Sequence, residues 1–222
     1  MSTDRLEISK SITLTHAIAV QMQEIRQINQ QFLNLLLHPD ARALNSVLGL
    51  DYGVLDGLRR LSPEQQATVI SVPGLLAEFS PLPLIAEMDS IADLEQPCAL
   101  GNGVWQRELQ GFADRLLTCI WHAARHETPI NAACMGLSPT SCRKLAQWSF
   151  VTLSRHSRNA VAALVASHAR HPTFWPDLVA CAHSNDPLRK IASQLSLLQL
   201  SVARQDVPED SESCMAARPA YQ

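Results

Sequence analysis

Residues 132–149 read AACMGLSPTSCRKLAQWS: two short apolar segments meet at Gly136, the second opens with Ser138-Pro139, and its polar side carries Arg143 and Lys144. Residues 46–62, SVLGLDYGVLDGLRRLS, follow the same plan. With a shift of 87 residues Leu48 falls on Met135, Gly49 on Gly136, Leu50 on Leu137, Leu58 on Leu145 and Ser62 on Ser149. Glycine between the segments allows the left-handed backbone of a tight helical corner, and the apolar positions hold its two arms together. Two copies of one corner point to an internal duplication; the competing explanation is that a short match built on common Gly-Leu pairs arises by chance.

Outward from the corners the apolar spacing is helical. Residues 11–37 place Ile18, Met22, Ile25, Ile28, Phe32 and Leu36 at the three-four spacing of a long amphipathic helix, ended by His38-Pro39. A short helix over 40–48 closes at Gly49, and helices over 50–61 and 63–70 follow, the second with Ser62 as N-cap and Pro63 at its first position. Pro73, Pro81, Pro83, Pro97 and the glycines of CALGNG mark a boundary. A second long helix begins near 104 and breaks at Thr128-Pro129, a short helix reaches Met135, and Ser138-Pro139 opens the next. One helix is expected over 150–169, stopped by His171-Pro172, and two more over 173–184 and 187–204. The expected fold is all-α, with about eight to ten helices in two related units. These are an acidic unit at 1–80, a Pro/Gly-rich connector at 81–104, a basic unit at 105–205 and an acidic tail at 206–222 whose composition predicts disorder.

Composition narrows the classes. A chain of 222 residues with 46% hydrophobic residues can bury a sizeable core, which excludes disorder throughout. Only 8 glycines, 5% aromatic residues and no period-2 alternation count against a sandwich or barrel. The opening MSTDRLEISK lacks a basic region followed by an apolar run, and no stretch reaches the ~20 apolar residues of a membrane span, so a cytoplasmic protein without membrane contact is expected. Six cysteines, at 98, 119, 134, 142, 181 and 214, form no C-x-x-C and read mostly as small core residues. The net charge of -3 conceals -6 over residues 1–98, +6 over 99–205 and -3 over 206–222. The basic half suits a polyanion and the acidic half does not.

Ile28-Asn29 in the first helix, Leu48-Gly49-Leu50 at the corner, then Leu55, Leu58 and Leu61, Gln65-Gln66 and the closing Leu75-Leu76-Ala77-Glu78-Phe79 together resemble the FlhD family, the D subunit of the bacterial flagellar master regulator and its mobile-element relatives. The second half repeats the pattern more weakly, from Leu116-Leu117 through Met135-Gly136-Leu137 to Leu145, so the likeness covers about 20–80 and 112–165. The resemblance implies a helical dimeric transcription factor that acts with a C-type (FlhC-like) partner subunit on promoter DNA and recruits RNA polymerase. Two features depart from the family. Ala77 stands where the family has a cysteine, which puts any shared intersubunit disulfide in question, and the chain is longer than a usual member. A fused tandem copy implies an internal pseudo-dimer in place of self-association between chains. The stripe Ile25, Ile28, Phe32 and Leu36 is then the expected partner interface.

On the basic corner the outward positions are Ser138, Thr140, Ser141, Arg143, Lys144 and Gln147, with Arg155 and Arg158 extending the surface from the next helix. Hydroxyls and a helix N-terminus suit phosphates, while Arg and Gln suit base edges, so these are the candidate DNA contacts of a helix-turn-helix. A plain helical corner with a solvated polar face is the alternative. The first corner carries Asp51 and Asp56, which repel phosphate and fit a contact with protein. Cys119, His122 and His126 share a helix face, with Cys134 or Cys142 as a further ligand, but zinc favours a compact, loop-borne set, and no metal or other cofactor is expected. The four tryptophans read as core or interface anchors. No phosphate loop, H-E-x-x-H, G-x-S-x-G or carboxylate pair is present, so no enzyme is expected. The function expected is a DNA-binding transcriptional regulator in a hetero-oligomer; the alternative is a helical adaptor or anti-activator that binds only protein.

Overall fold

Proline, glycine and capping residues set the element boundaries of the computed structural model, which describes residues 3–39, 48–80, 104–125, 134–157 and 160–203. Most of the short helices expected over 40–48 and before Met135, the connector at 81–103 and the tail at 206–222 lie outside the described residues. The elements are α1 (Thr3–Leu37), α2 (Tyr52–Arg59), α3 (Pro63–Ile70), β1 (Ala77–Phe79), α4 (Val104–Arg125), α5 (Pro139–Ala146), α6 (Phe150–Ser157), a 3-10 turn (Ala160–Ala163), β2 (Leu164–Ala166), α7 (Phe174–His183) and α8 (Pro187–Ala203). The fold is all-α in character, with eight α-helices and one short strand pair among the described residues.

The shift of 87 residues found in the sequence carries α2 onto α5, α3 onto α6 and β1 onto β2 with coincident ends. Caps correspond as well. Ser62 accepts a hydrogen bond from the Gln65 backbone N–H and Ser149 one from Thr152, while Asp51 and Ser138 cap α2 and α5 through Gly53 and Ser141. Gly49 and Gly136 both adopt positive φ, 74° and 65°. Their surroundings differ: a Cβ on Gly49 would lie 3.0 Å from the Ala169 Cβ, whereas one on Gly136 meets nothing within 4 Å. Gly136→Ala therefore carries only the left-handed backbone cost, about 1 kcal/mol. Gly49→Ala adds overpacking and is expected to cost about 2–4 kcal/mol, so urea unfolding should separate the two variants clearly.

The helix expected over 150–169 is divided. α6 stops at Ser157, and the chain passes through the 3-10 turn into β2, which pairs antiparallel with β1 in the register Ala77↔Ala166, Glu78↔Val165, Phe79↔Leu164. His168, with φ 55°, then turns the chain toward α7. Strands of three residues are too short to print a period-2 pattern, and their pairing partners lie 85 to 89 positions away. The pair is symmetric under the repeat. Ser80 N–H donates to the Ala163 carbonyl at 2.7 Å and Ser167 N–H to the Leu76 carbonyl at 2.9 Å, and adding 87 to 80 and 76 gives 167 and 163. The two repeats thus meet across an approximate local twofold.

Helices α1 and α4 complete that meeting. Phe32 stacks on Phe112 with ring centroids 5.5 Å apart, and Arg115 donates from Nε to the Gln31 side chain at 2.7 Å. Ile25, Ile28, Phe32 and Leu36, expected at a partner interface, are all buried in the chain's own core. The second repeat supplies the apolar surface that a separate subunit would otherwise bring, so these residues are not open to another protein. One core cluster runs through both repeats, and the division into two units describes a repeat rather than two separate cores. Asn29 sits at its centre, fully buried. Its amide donates to the Gly74 carbonyl at 2.9 Å and its Oδ1 accepts from the Leu76 backbone N–H at 2.9 Å, fixing the turn that delivers β1.

Candidate nucleic-acid interface

The basic corner is built by burying one side of α5 and α6. Leu137, Ser141 and Leu145 face inward from the α5 corner, and Leu153 and His156 from α6, with the His156 ring 4.4 Å from that of Trp148. What remains outside is Pro139, Arg143, Lys144 and Gln147 on α5, with Thr140 half-buried, and Phe150, Val151, Ser154 and Arg155 on α6. The α5 set follows the positions that a recognition helix turns outward. From Ser138 to Ser157 the sequence contains no Asp or Glu, so no carboxylate on either helix offsets these cations.

Two of the expected contacts are corrected. Ser141 is buried, and Ser138 is engaged with it: the Ser138 hydroxyl donates to Ser141 Oγ at 2.9 Å and accepts the Ser141 backbone N–H at 3.1 Å. The Ser138 hydroxyl is thus spent on capping α5 and on Ser141, and the Ser141 hydroxyl is turned inward, away from an external phosphate. Thr140, Arg143, Lys144, Gln147 and Arg155 remain accessible, and Arg158 lies outside the described residues.

A further cation comes from α4. Arg125 stacks over Trp121, 4.9 Å from the ring centroid, and Trp121 donates its indole N–H to the Trp148 carbonyl at 3.1 Å. This chain of contacts sets Arg125 beside the α5–α6 turn, although it lies 22 residues from Gln147 in sequence. No sequence signal distinguished it. Phe150 and Val151 were also passed over, as apolar residues in an expected helix; each is 69% exposed at the start of α6.

The first corner has another fate. Asp51 caps α2, Asp56 pairs with Arg59 at 3.4 Å, and α7 packs on α2 and α3, with His183 3.4 Å from the Gln65 amide. Trp175 anchors α7 by donating to the Ser167 carbonyl at 2.9 Å. The close approach depends on Gly57, where a Cβ would lie 3.0 Å from Val179. The matching residue in the second repeat is Lys144, which is exposed. Gly57→Lys is expected to lift α7 and destabilise the fold by about 3 kcal/mol, read as a lower melting temperature and faster proteolysis after α7.

Among the described residues the candidate metal ligands do not converge. Cys119 is half-buried on α4, its thiol pushed up to about 11 by burial and by the nearby Glu24 carboxylate; burial also raises the buried Cys134, while His122 is exposed. His126 lies outside the described residues, and among those described no three His, Cys, Asp or Glu side chains gather around a common point. No helix among the described residues is long and apolar enough to cross a membrane. Comparisons with protein-family models, curated proteins and solved structures return no match.

Proposed function

We propose that the chain is a cytoplasmic, non-enzymatic DNA-binding transcriptional regulator of FlhD-like type, whose two repeats form an internal pseudo-dimer and whose second corner contacts promoter DNA. The observation that carries this is the divergence of the two corners. In the first, Asp51, Asp56 and Glu64 accompany Arg59 and Arg60, and α7 packs beside α2 and α3; the second, residues 138–157, has no carboxylate and presents Arg143, Lys144, Gln147 and Arg155 on one surface. Clustered cations attract a phosphate backbone by releasing its counterions. A C-type partner subunit and RNA polymerase are the proteins with which such a regulator would act. Fluorescence anisotropy with a labelled duplex at several salt concentrations, with and without a C-type subunit, tests the proposal. Salt-dependent binding supports it; absence of binding in both samples at low salt leaves the adaptor function, in which the chain touches only protein.

A further inference from the structure

Phe150 and Val151 occupy the first two positions of α6, where the first repeat has Pro63 and Glu64. Pro and Glu suit that place for local reasons: proline is preset for the first helical turn, and a carboxylate favours the positive end of the helix. Phe and Val bring neither advantage. They also contribute little to the core, since each is 69% exposed. Neither helix formation nor packing within the described residues accounts for two large apolar side chains here. Their surroundings are cationic. Arg155 follows Val151 by one helical turn, Gln147 and Lys144 lie just before the turn, and Arg125 is held beside it through Trp121 and Trp148.

We propose that Phe150 and Val151 form an apolar wedge that enters a base step of duplex DNA next to the groove occupied by α5, and bends the duplex around the second corner. This rests on the DNA-binding function proposed above and adds a deformation to it. An apolar side chain between two base pairs costs unstacking, which is offset when the bend brings more phosphates to flanking cations. Arg125 and Arg155 are placed to receive them. The charge of the rim selects DNA over an acidic protein helix because, among the described residues, the exposed apolar patch on this corner consists of Phe150 and Val151, too small to hold a helix by burial alone.

The test uses the full chain and a mixed-sequence duplex of about 30 base pairs, rich in easily kinked TA and CA/TG steps and carrying a donor and an acceptor at its ends. Wild-type protein is expected to bind with salt dependence and to raise energy transfer between the ends. The Phe150→Ala/Val151→Ala double variant should bind within about ten-fold of wild type at the same salt but lose most of that rise. Circular dichroism should be unchanged, because neither side chain is in the core. If the variant still bends the duplex, the wedge is overturned and the DNA-binding function stands. Where wild type fails to bind the duplex but binds an amphipathic Glu/Leu helical peptide, and the variant does not, both proposals fall and the patch is a protein-docking surface.

Discussion

Charge reversal of Arg143 and Lys144 to glutamate is expected to weaken duplex binding by at least about 100-fold at low salt and to lower the slope of log K against log salt by about 2. Each residue is exposed on α5, on a surface where neither helix of the corner carries a carboxylate. The substitution therefore removes two phosphate-neutralising charges and adds two repulsive ones, without breaking a packed contact. Loss of a single good contact costs about 1–3 kcal/mol, so two together correspond to about 30-fold or more, and the added repulsion raises this further. Helicity and melting temperature should hold, since Leu137, Ser141 and Leu145 maintain the buried side. Unchanged affinity would move the contact away from this corner, and a loss of fold would show that the two side chains are structural. The matching reversal in the first repeat, Asp56→Arg, should create little binding, because Asp51 and Glu64 keep carboxylates on that corner.

Asn29→Leu should lower stability by about 3 kcal/mol or more, the largest effect of any single polar substitution in the core. The shape change is small, but leucine leaves the buried Leu76 N–H and the partly buried Gly74 carbonyl without the partners that Asn29 supplies. Each orphaned group costs about 1–3 kcal/mol. The loss propagates: the same turn delivers β1 to β2, and that strand pair joins the two repeats. For a chain of this size such a change corresponds to a fall in melting temperature of roughly 6–12 °C, measurable by calorimetry. The second repeat has Leu116 at the matching position, so the reverse change, Leu116→Asn, would bury a polar amide in a core position now held by leucine and is expected to destabilise as well. A melting temperature within about 2 °C of wild type for Asn29→Leu would show that the turn holds without its side-chain anchor.

Much of the helical architecture was legible because its signals are local. Ser62-Pro63 and Ser138-Pro139 start helices, Gly49 and Gly136 take the left-handed turn, and the offset of 87 residues recurs in α2, α5, α3 and α6. The strand pair was not legible. Residues 164–166 read as more of one long helix, and only β1, far along the chain, gives their backbone groups an extended partner. The basic corner was found by composition and spacing, yet its membership was not. Ser141 looked outward by position and is buried, while Arg125 joined through two tryptophans that no periodicity connects.

Taken alone, the sequence determined most helix starts and the segregation of charge and pointed to the repeat, because each depends on neighbours within a few positions or on counting. Tertiary structure decided which apolar stripe is covered within the chain and which corner α7 packs beside. Ile25, Ile28, Phe32 and Leu36 have the spacing of an interface whether the covering surface is another molecule or, as here, the α4 of the same chain. Gly57 and Lys144 are both ordinary residues of a short helix until α7 arrives. Burial is a property of what lies opposite a side chain in space, and that partner is fixed only when the whole chain has closed on itself.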